Sequence, residues 1–420
     1  MTDTPPSFPH LFHAFARIGL LSFGGPAAQI AVMHRILVDE QKWLTEDQFL
    51  RALSFCMMLP GPEAMQLATY AGWRLRGTAG GLIAGLLFVL PGAVVIAILA
   101  AIYISYGTLP IFQTLFVGVK AAVVMIVAQA LWRLSNKALK DRFSIVLAVL
   151  AFAGLYLFQV PFPVIIACAA LLGVLRAVAP APDLLAEAPP GVPLRSIAIW
   201  GGLWVAPLVL LWGLGEDFLL NLSLFFGKLA LVTFGGAYAV LAYMTQEVVQ
   251  AHGWITTEQM IDALGLAETT PGPLILVTQF VGHLAGSEEM GRAGFAVAGL
   301  LTLWMTFTPC FLWIFAGAPY LEHITSRPRI NAALSAVTAA VVGVIANLSL
   351  WFALNVIFAA TRTVTWGPVD IVLPLMSTFS PTAFVLSGVC AVLIFALRAS
   401  IPLTLAISAA VALLLGSAIG

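Results

Sequence analysis

The sequence predicts an all-α polytopic membrane protein with two inverted-topology repeats, each holding two broken, re-entrant helical hairpins plus full transmembrane spans. Three observations carry this. First, 61% of the 420 residues are hydrophobic and 9% charged, where a soluble domain carries about 25% charged. Too little polar surface is left to cover a soluble globule, and many apolar runs reach the roughly 20 residues that cross a bilayer. Barrel-type alternation is absent, so the spans are helical. Second, residues 23–62 return at 234–273 with a constant offset of 211 and 15 of 40 positions identical. Phe23-Gly24-Gly25 answers Phe234-Gly235-Gly236, Trp43 answers Trp254, and Pro60-Gly61-Pro62 answers Pro271-Gly272-Pro273. The register then slips by seven, and at an offset of 218 Gly81 matches Gly299, Pro91 matches Pro309, and Ala121–Val124 matches Ala339–Val342. Third, basic residues distribute differently in the two copies.

In chain order, residues 10–30 form an apolar segment interrupted at Gly24-Gly25-Pro26, and 33–50 an amphipathic interfacial stretch. Residues 51–76 are apolar and interrupted at Pro60-Gly61-Pro62. Residues 79–105 and 110–132 read as full spans, and 143–177 as two spans split at Pro161-Phe162-Pro163. The first repeat is thus 1–177, followed by a hydrophilic Pro/Ala-rich linker at 178–195 and a connecting span at 196–215. The second repeat, 216–420, has broken segments at 220–242 and 263–286 around a polar 245–262. Spans follow at 293–318 and 330–358, then an extra stretch near 366–380 and two spans split near Ser400-Ile401-Pro402.

Lys and Arg mark cytoplasmic loops. Positions 31–52 hold Arg35, Lys42 and Arg51, whereas 242–263 hold none. Arg133, Lys137, Lys140 and Arg142 have only Arg362 as an approximate counterpart, while Arg327 and Arg329 answer the uncharged turn at 106–110. The copies therefore face opposite ways, the plan of many secondary transporters. With the broken segments re-entrant, all the basic clusters of the first copy lie inside and the amino terminus is cytoplasmic. Met1 to His10 lacks the basic region of a cleaved signal peptide. Cys56, Cys168, Cys310 and Cys390 are scattered in apolar stretches and read as free thiols.

The chemistry is expected at the breaks. Gly and Pro at membrane depth leave backbone groups that lipid cannot satisfy, and a half-helix starting there presents free N–H groups and a positive dipole end to an anion. The candidate binding residues are Gly24, Gly25, Pro26, Pro60, Gly61, Pro62, Gly235, Gly236, Pro271, Gly272 and Pro273, with Gln66 beside them. The bland alternative for any one break is a kink in a membrane helix. Arg17 and Lys228, each six residues before its Phe-Gly-Gly, either reach the tips or snorkel to the interface. Lys120, mid-span, reads as a substrate contact or as half of a buried pair with Glu63 or Glu268. Those two carboxylates are the candidates for proton coupling, against a structural ion pair or helix cap. No Walker A, HExxH or nucleophile elbow supports an enzyme, and no motif calls for a metal or cofactor. No basic run suggests nucleic acid.

With these residues the chain resembles the long, two-domain form of the chromate ion transporter family. The matching stretches are Gly19-Leu20-Leu21-Ser22-Phe23-Gly24-Gly25-Pro26, Trp43-Leu44-Thr45-Glu46 and Leu59-Pro60-Gly61-Pro62-Glu63. In the second copy they are Phe234–Val240, Gly253-Trp254-Ile255-Thr256 and Glu268–Pro273. The resemblance implies export of chromate across the bacterial cytoplasmic (inner) membrane, with sulfate as an isosteric competitor. The expected partners are a chromate or sulfate oxyanion and the bilayer, with a homodimer left open. The rival reading is a passive anion channel or a lipid-handling protein built on re-entrant hairpins.

Overall fold

Helix α1 (Phe8–Leu21) begins where Ser7 accepts a bond from the His10 N–H and ends at Ser22, just before the paired glycines. Its 14 residues rise about 21 Å, short of the roughly 30 Å hydrocarbon core. The computed structural model describes residues 5–177, 193–234, 237–321, 327–367 and 369–419. Most of the expected linker and both Gly235 and Gly236 lie outside those residues.

After the first break come α2 (Pro26–His34), a π-turn at Arg35–Glu40, and α3 (Glu46–Cys56), opened by a Thr45/Gln48 capping box. After Pro60-Gly61-Pro62 comes α4 (Glu63–Tyr106), doubled back where Arg76 and Gly77 leave helical geometry. Its arms cross tightly, since a Cβ on Gly72 would sit 2.3 Å from the Gly80 carbonyl oxygen. Then follow α5 (Pro110–Ala138), α6 (Arg142–Phe158), α7 (Phe162–Arg176) and α8 (Leu194–Leu214). Helix α8 buries only Leu211. The second half comprises α9 (Asp217–Val232), α10 (Ala237–Thr245), α11 (Thr257–Glu268), α12 (Val277–Gly317) and α13 (Pro328–Ile357). A hairpin of β1 (Thr361–Trp366) and β2 (Val369–Pro374) precedes α14 (Pro381–Ala391) and α15 (Ile401–Ile419). That hairpin begins before the extra stretch near 366–380 and covers its first part, which periodicity alone left unassigned; a 3-10 turn at Met376–Thr378 follows. Among the described residues, five helical stretches are long and apolar enough to cross a membrane: 63–106, 110–138, 194–214, 274–320 and 328–357.

Backbone irregularities repeat with the sequence. The π-turn at Arg35–Glu40 recurs at Gln246–Ala251, and the Thr45/Gln48 box at Thr256/Gln259. Lys42 and Gly253 share a positive φ, as do Gln159 and Arg398. The structure also places the register slip. Helix α4 starts at Glu63 and α12 at Val277, an offset of 214, because a three-residue 3-10 turn (Leu274–Leu276) intervenes in the second copy. The second doubled helix turns at Gly291 as the first does at Gly77, with Gly286 against Gly294 as Gly72 is against Gly80. Gly299 therefore answers Gly85 in space, and not the Gly81 that sequence matching pairs with it. The remaining four residues of the slip fall in the connection before Pro328, whose counterpart is Pro110.

Two units result, one comprising 1–100, 177–237 and 270–331, the other 101–176, 238–269 and 332–420. In the first, α12 packs on α8 and α9, where the Trp204 and Trp304 indoles donate to the Met305 and Leu203 carbonyls at 3.2 and 3.0 Å. Such bonds and small-residue contacts replace the hydrophobic effect, which does not drive helices together in lipid. In the second, α5 packs on α14 and α15, with the Ser408 hydroxyl donating to the Gly118 carbonyl at 2.7 Å.

The capping box gives a direct test. Thr256→Ala removes the acceptor of the Gln259 N–H and should destabilise α11 by about 1 kcal/mol, lowering the thermal midpoint of the detergent-solubilised protein, while Thr256→Ser leaves it near wild type.

Candidate functional site

The first unit holds all four chain breaks. Each Pro-Gly-Pro glycine is bonded to the residue that precedes the other copy's Phe-Gly-Gly. The Gly61 N–H donates to the Thr233 carbonyl at 2.9 Å, and the Gly272 N–H donates to the Ser22 carbonyl at 2.8 Å. Ser22 and Thr233 are equivalent positions. Each folds its hydroxyl back to the helix it ends, onto Ile18 and Leu229, both at 2.6 Å. Both acceptors are almost wholly buried, so these crossed bonds satisfy backbone groups that water cannot reach.

The breaks surround a small pocket, partly open to solvent, lined by Pro26 and Gln29, Gly61 to Ala64, Thr233 and Ala237, and Pro273 to Ile275. Every break thus contributes, and each contributes the start of a helix: α2 at Pro26, α4 at Glu63, α10 at Ala237, and the 3-10 turn leading into α12. Gly25 caps α2 without a side-chain bond and Pro26 has no N–H, so the donors at this helix start are the N–H groups of Ala27 and Ala28, which no cap side chain takes. Four helix starts place the positive ends of their dipoles, nominally about half a charge per full-length helix, around one small volume. Among the described residues, Glu63 is the ionisable residue of the lining, and no Lys or Arg lines it.

Two amides brace the breaks. Gln29 donates to the Gly272 carbonyl at 2.6 Å and Gln66 to the Pro60 carbonyl at 2.7 Å. The other amide oxygen of each is buried without a hydrogen-bond partner among the described residues. Sequence reasoning anticipated Gln66 and missed Gln29. Its signal was an amide four residues past Gly25 where the second copy has Val240.

The expected cations are placed elsewhere. Arg17 is exposed on α1 and pairs with Glu40 at 2.6 Å, where Arg35 also approaches at 3.6 Å. Lys228 is exposed on α9. Neither is in the lining. In the second unit Lys120 lies 3.8 Å from Asp262 and 3.7 Å from Glu258, both on α11. That pairing replaces the expected one with Glu63 or Glu268, because α11 packs along α5 with Asp262 at the level of Lys120. Glu268 instead accepts from the Tyr238 hydroxyl at 2.6 Å. Outside the apolar spans, Asp141 caps α6. Bonds from the Ser144 N–H and hydroxyl, then Arg176, hold its carboxyl at about 2. Its contribution is therefore complete above the ordinary carboxylate range and lost only as the pH falls through that value.

The geometry predicts which glycines are intolerant. Gly61 has φ +117°, and a Cβ there would meet Gln66 Nε2 at 2.9 Å and Cys310 Sγ at 3.0 Å. Gly92 is closed by the Pro271 carbonyl, 2.1 Å from its Cβ position. Gly61→Ala should lose about 1–3 kcal/mol and Gly92→Ala should displace the fourth break. Gly201→Ala, with open space around it, should be neutral in the same thermal assay.

The chain is 34% identical over 357 residues to the chromate transport protein of Pseudomonas aeruginosa, covering 81% of this chain and 80% of the relative. It is 31% identical to the probable chromate transport protein of Synechococcus elongatus, with 81% and 83% covered. The uncharacterized transporter YwrB of Bacillus subtilis is 32% identical over 155 residues, which are 35% of this chain but 76% of that protein. No solved structure matches. The profile of the chromate transporter family matches twice, at residues 9–174 and 220–416, one match per copy of the broken-helix pattern. This chain is a member of the chromate transporter family.

Proposed function

We propose that the protein is a secondary transporter that exports chromate, or a similar tetrahedral oxyanion such as sulfate, from the cytoplasm. The observation that carries this is the convergence of four helix starts on one cavity, with no basic side chain in its lining among the described residues. An oxyanion with acceptors on all sides matches N–H donors from several directions, and dipole ends bind it without the tight hold of a formal ion pair. A carrier must also release its cargo, so moderate binding suits the task. In this reading the repeats are inverted, the breaks meet near the bilayer midplane, and the amino terminus is cytoplasmic. The half-length of α1 and the distribution of basic residues support it.

Arg17 and Lys228 then act from outside the cavity, raising the potential on the approach to the breaks. Glu63, at the first turn of α4, is the group whose charge opposes an anion in the cavity, and with Glu268 it is a candidate to take a proton as the anion binds. The membrane potential, negative inside, itself favours the exit of a dianion.

The test is chromate uptake into inverted membrane vesicles, with and without excess sulfate. Saturable uptake blocked by sulfate is expected. Linear, non-competitive flux would replace the carrier with a channel, and uptake no greater than in vesicles lacking the protein would remove chromate as cargo. Gln29→Leu strips the Gly272 carbonyl of its partner, at about 1–3 kcal/mol for a buried polar group. It should cut uptake by roughly tenfold or more. Arg17→Ala should raise the half-saturating chromate concentration while leaving the maximal rate, and its effect should fade at high ionic strength.

A further inference from the structure

The two copies differ most in charge where they differ least in backbone. At equivalent positions of α3 and α11, the first copy has Asp47 and Arg51, which pair with each other on the exposed face. The second has Glu258 and Asp262, two acids. Their cation comes from α5, where Lys120 stands opposite Thr338 of the other copy. Asp262 is 4% exposed. Its Oδ2 accepts from the Tyr103 hydroxyl at 2.9 Å, and its Oδ1 carries no hydrogen bond among the described residues. Lys120 approaches at 3.8 Å, beyond hydrogen-bond range. Glu258, by contrast, has a side chain 81% exposed and lies 3.7 Å from the same ammonium. The groups that act on Asp262 are Lys120, Tyr103 and Glu258. Helix α15, which also packs on α11, has no ionisable side chain.

A buried carboxylate with one oxygen unbonded and a distant cation gains by taking a proton. Lys120 sits almost equally far from a buried and an exposed acid, so it has a second partner ready when the first is neutralised. We infer that Asp262, with Tyr103 and Lys120, is the proton-binding site through which the pH gradient drives the anion carrier. In the charged state the ammonium is shared between Asp262 and Glu258. When a proton binds the Asp262 carboxylate, Lys120 stays charged and moves to Glu258. When the proton leaves, the ammonium returns. Within this cluster the Asp262 carboxyl is the group that takes up and releases the proton. The segment carrying Glu258 has no Lys or Arg between 242 and 263, which by the distribution of basic residues is the extracytoplasmic side, where the proton motive force supplies protons. The inference rests on the transporter reading. It differs from it in naming a driving ion and a residue outside the breaks.

The experiment uses the full-length protein in proteoliposomes with chromate and sulfate. Counterflow at equal pH on both sides reports the carrier alone. Accumulation under an imposed gradient of about one pH unit reports coupling, and should exceed the no-gradient level by about tenfold per coupled proton. Asp262→Asn should keep counterflow and lose the gradient-driven gain. Glu258→Gln should keep the gain and shift its pH dependence. Wild-type counterflow without any gain under the gradient overturns this inference while sparing the transporter. A gain that persists in Asp262→Asn, or counterflow lost with it, overturns it as well. A second measurement stands apart from transport: the infrared difference spectrum between acid and neutral pH in lipid should show a carboxyl band that Asp262→Asn removes. Its persistence would refute the assignment even if no anion is carried.

Discussion

The fold depends on the satisfaction of backbone groups where helices stop in a lipid environment. An interrupted helix exposes N–H and C=O groups that hydrocarbon cannot bond. Here each interruption is answered by the other copy. Gly61 bonds Thr233 and Gly272 bonds Ser22, and Gln29 and Gln66 take two of the remaining carbonyls. Once those bonds are made, the helix starts have nowhere to point except the space between them. The cavity is thus a by-product of closing the breaks, and the helix starts around it turn the positive ends of their peptide dipoles toward it. Glycine at 61 is what lets the backbone turn at φ +117° and pass Cys310 closely.

Much of this was legible beforehand. The repeated Phe-Gly-Gly and Pro-Gly-Pro strings located all four breaks, because only Gly and Pro tolerate such geometry, and the apolar runs located the long helices. The boundary between the segments 51–76 and 79–105 fell at the turn of Arg76 and Gly77, but the tight doubling of 63–106 was not read from the sequence. Other features left no readable trace. The three-residue 3-10 turn at 274–276 is as apolar as the helix it precedes, so sequence matching carried the register past it and paired Gly81 with Gly299. The β-hairpin at 361–374 is a short alternation that resembles the end of a span. Asp262 left no local signal, since it lies away from the Pro-flanked breaks and its neighbour Lys120 is 142 positions away.

Duplication followed by divergence explains the division of labour. What the copies share is backbone: the π-turns, the capping boxes and the left-handed residues Gln159 and Arg398. What they do not share is side-chain chemistry. Gln29 faces Val240 in the alignment, Lys120 faces Thr338, and Arg51 faces Asp262. A symmetrical frame holds the breaks in place, and asymmetrical substitutions on it separate the neutral brace from the ionisable cluster.

The crossed bonds between the copies also bear on how the chain is made. Ser22 precedes its partner Gly272 by 250 residues, and Gly61 precedes Thr233 by 172. At ribosomal rates of about 5–20 residues per second, the first copy's breaks wait on the order of ten seconds or more before their partners are synthesised. During that interval Ser22 and Gly61 have only the insertion machinery, or water drawn to the half-formed bundle, to bond with. The early half of the protein is therefore a guest of its membrane insertion site until the late half arrives, and premature release into lipid would strand its unpaired backbone.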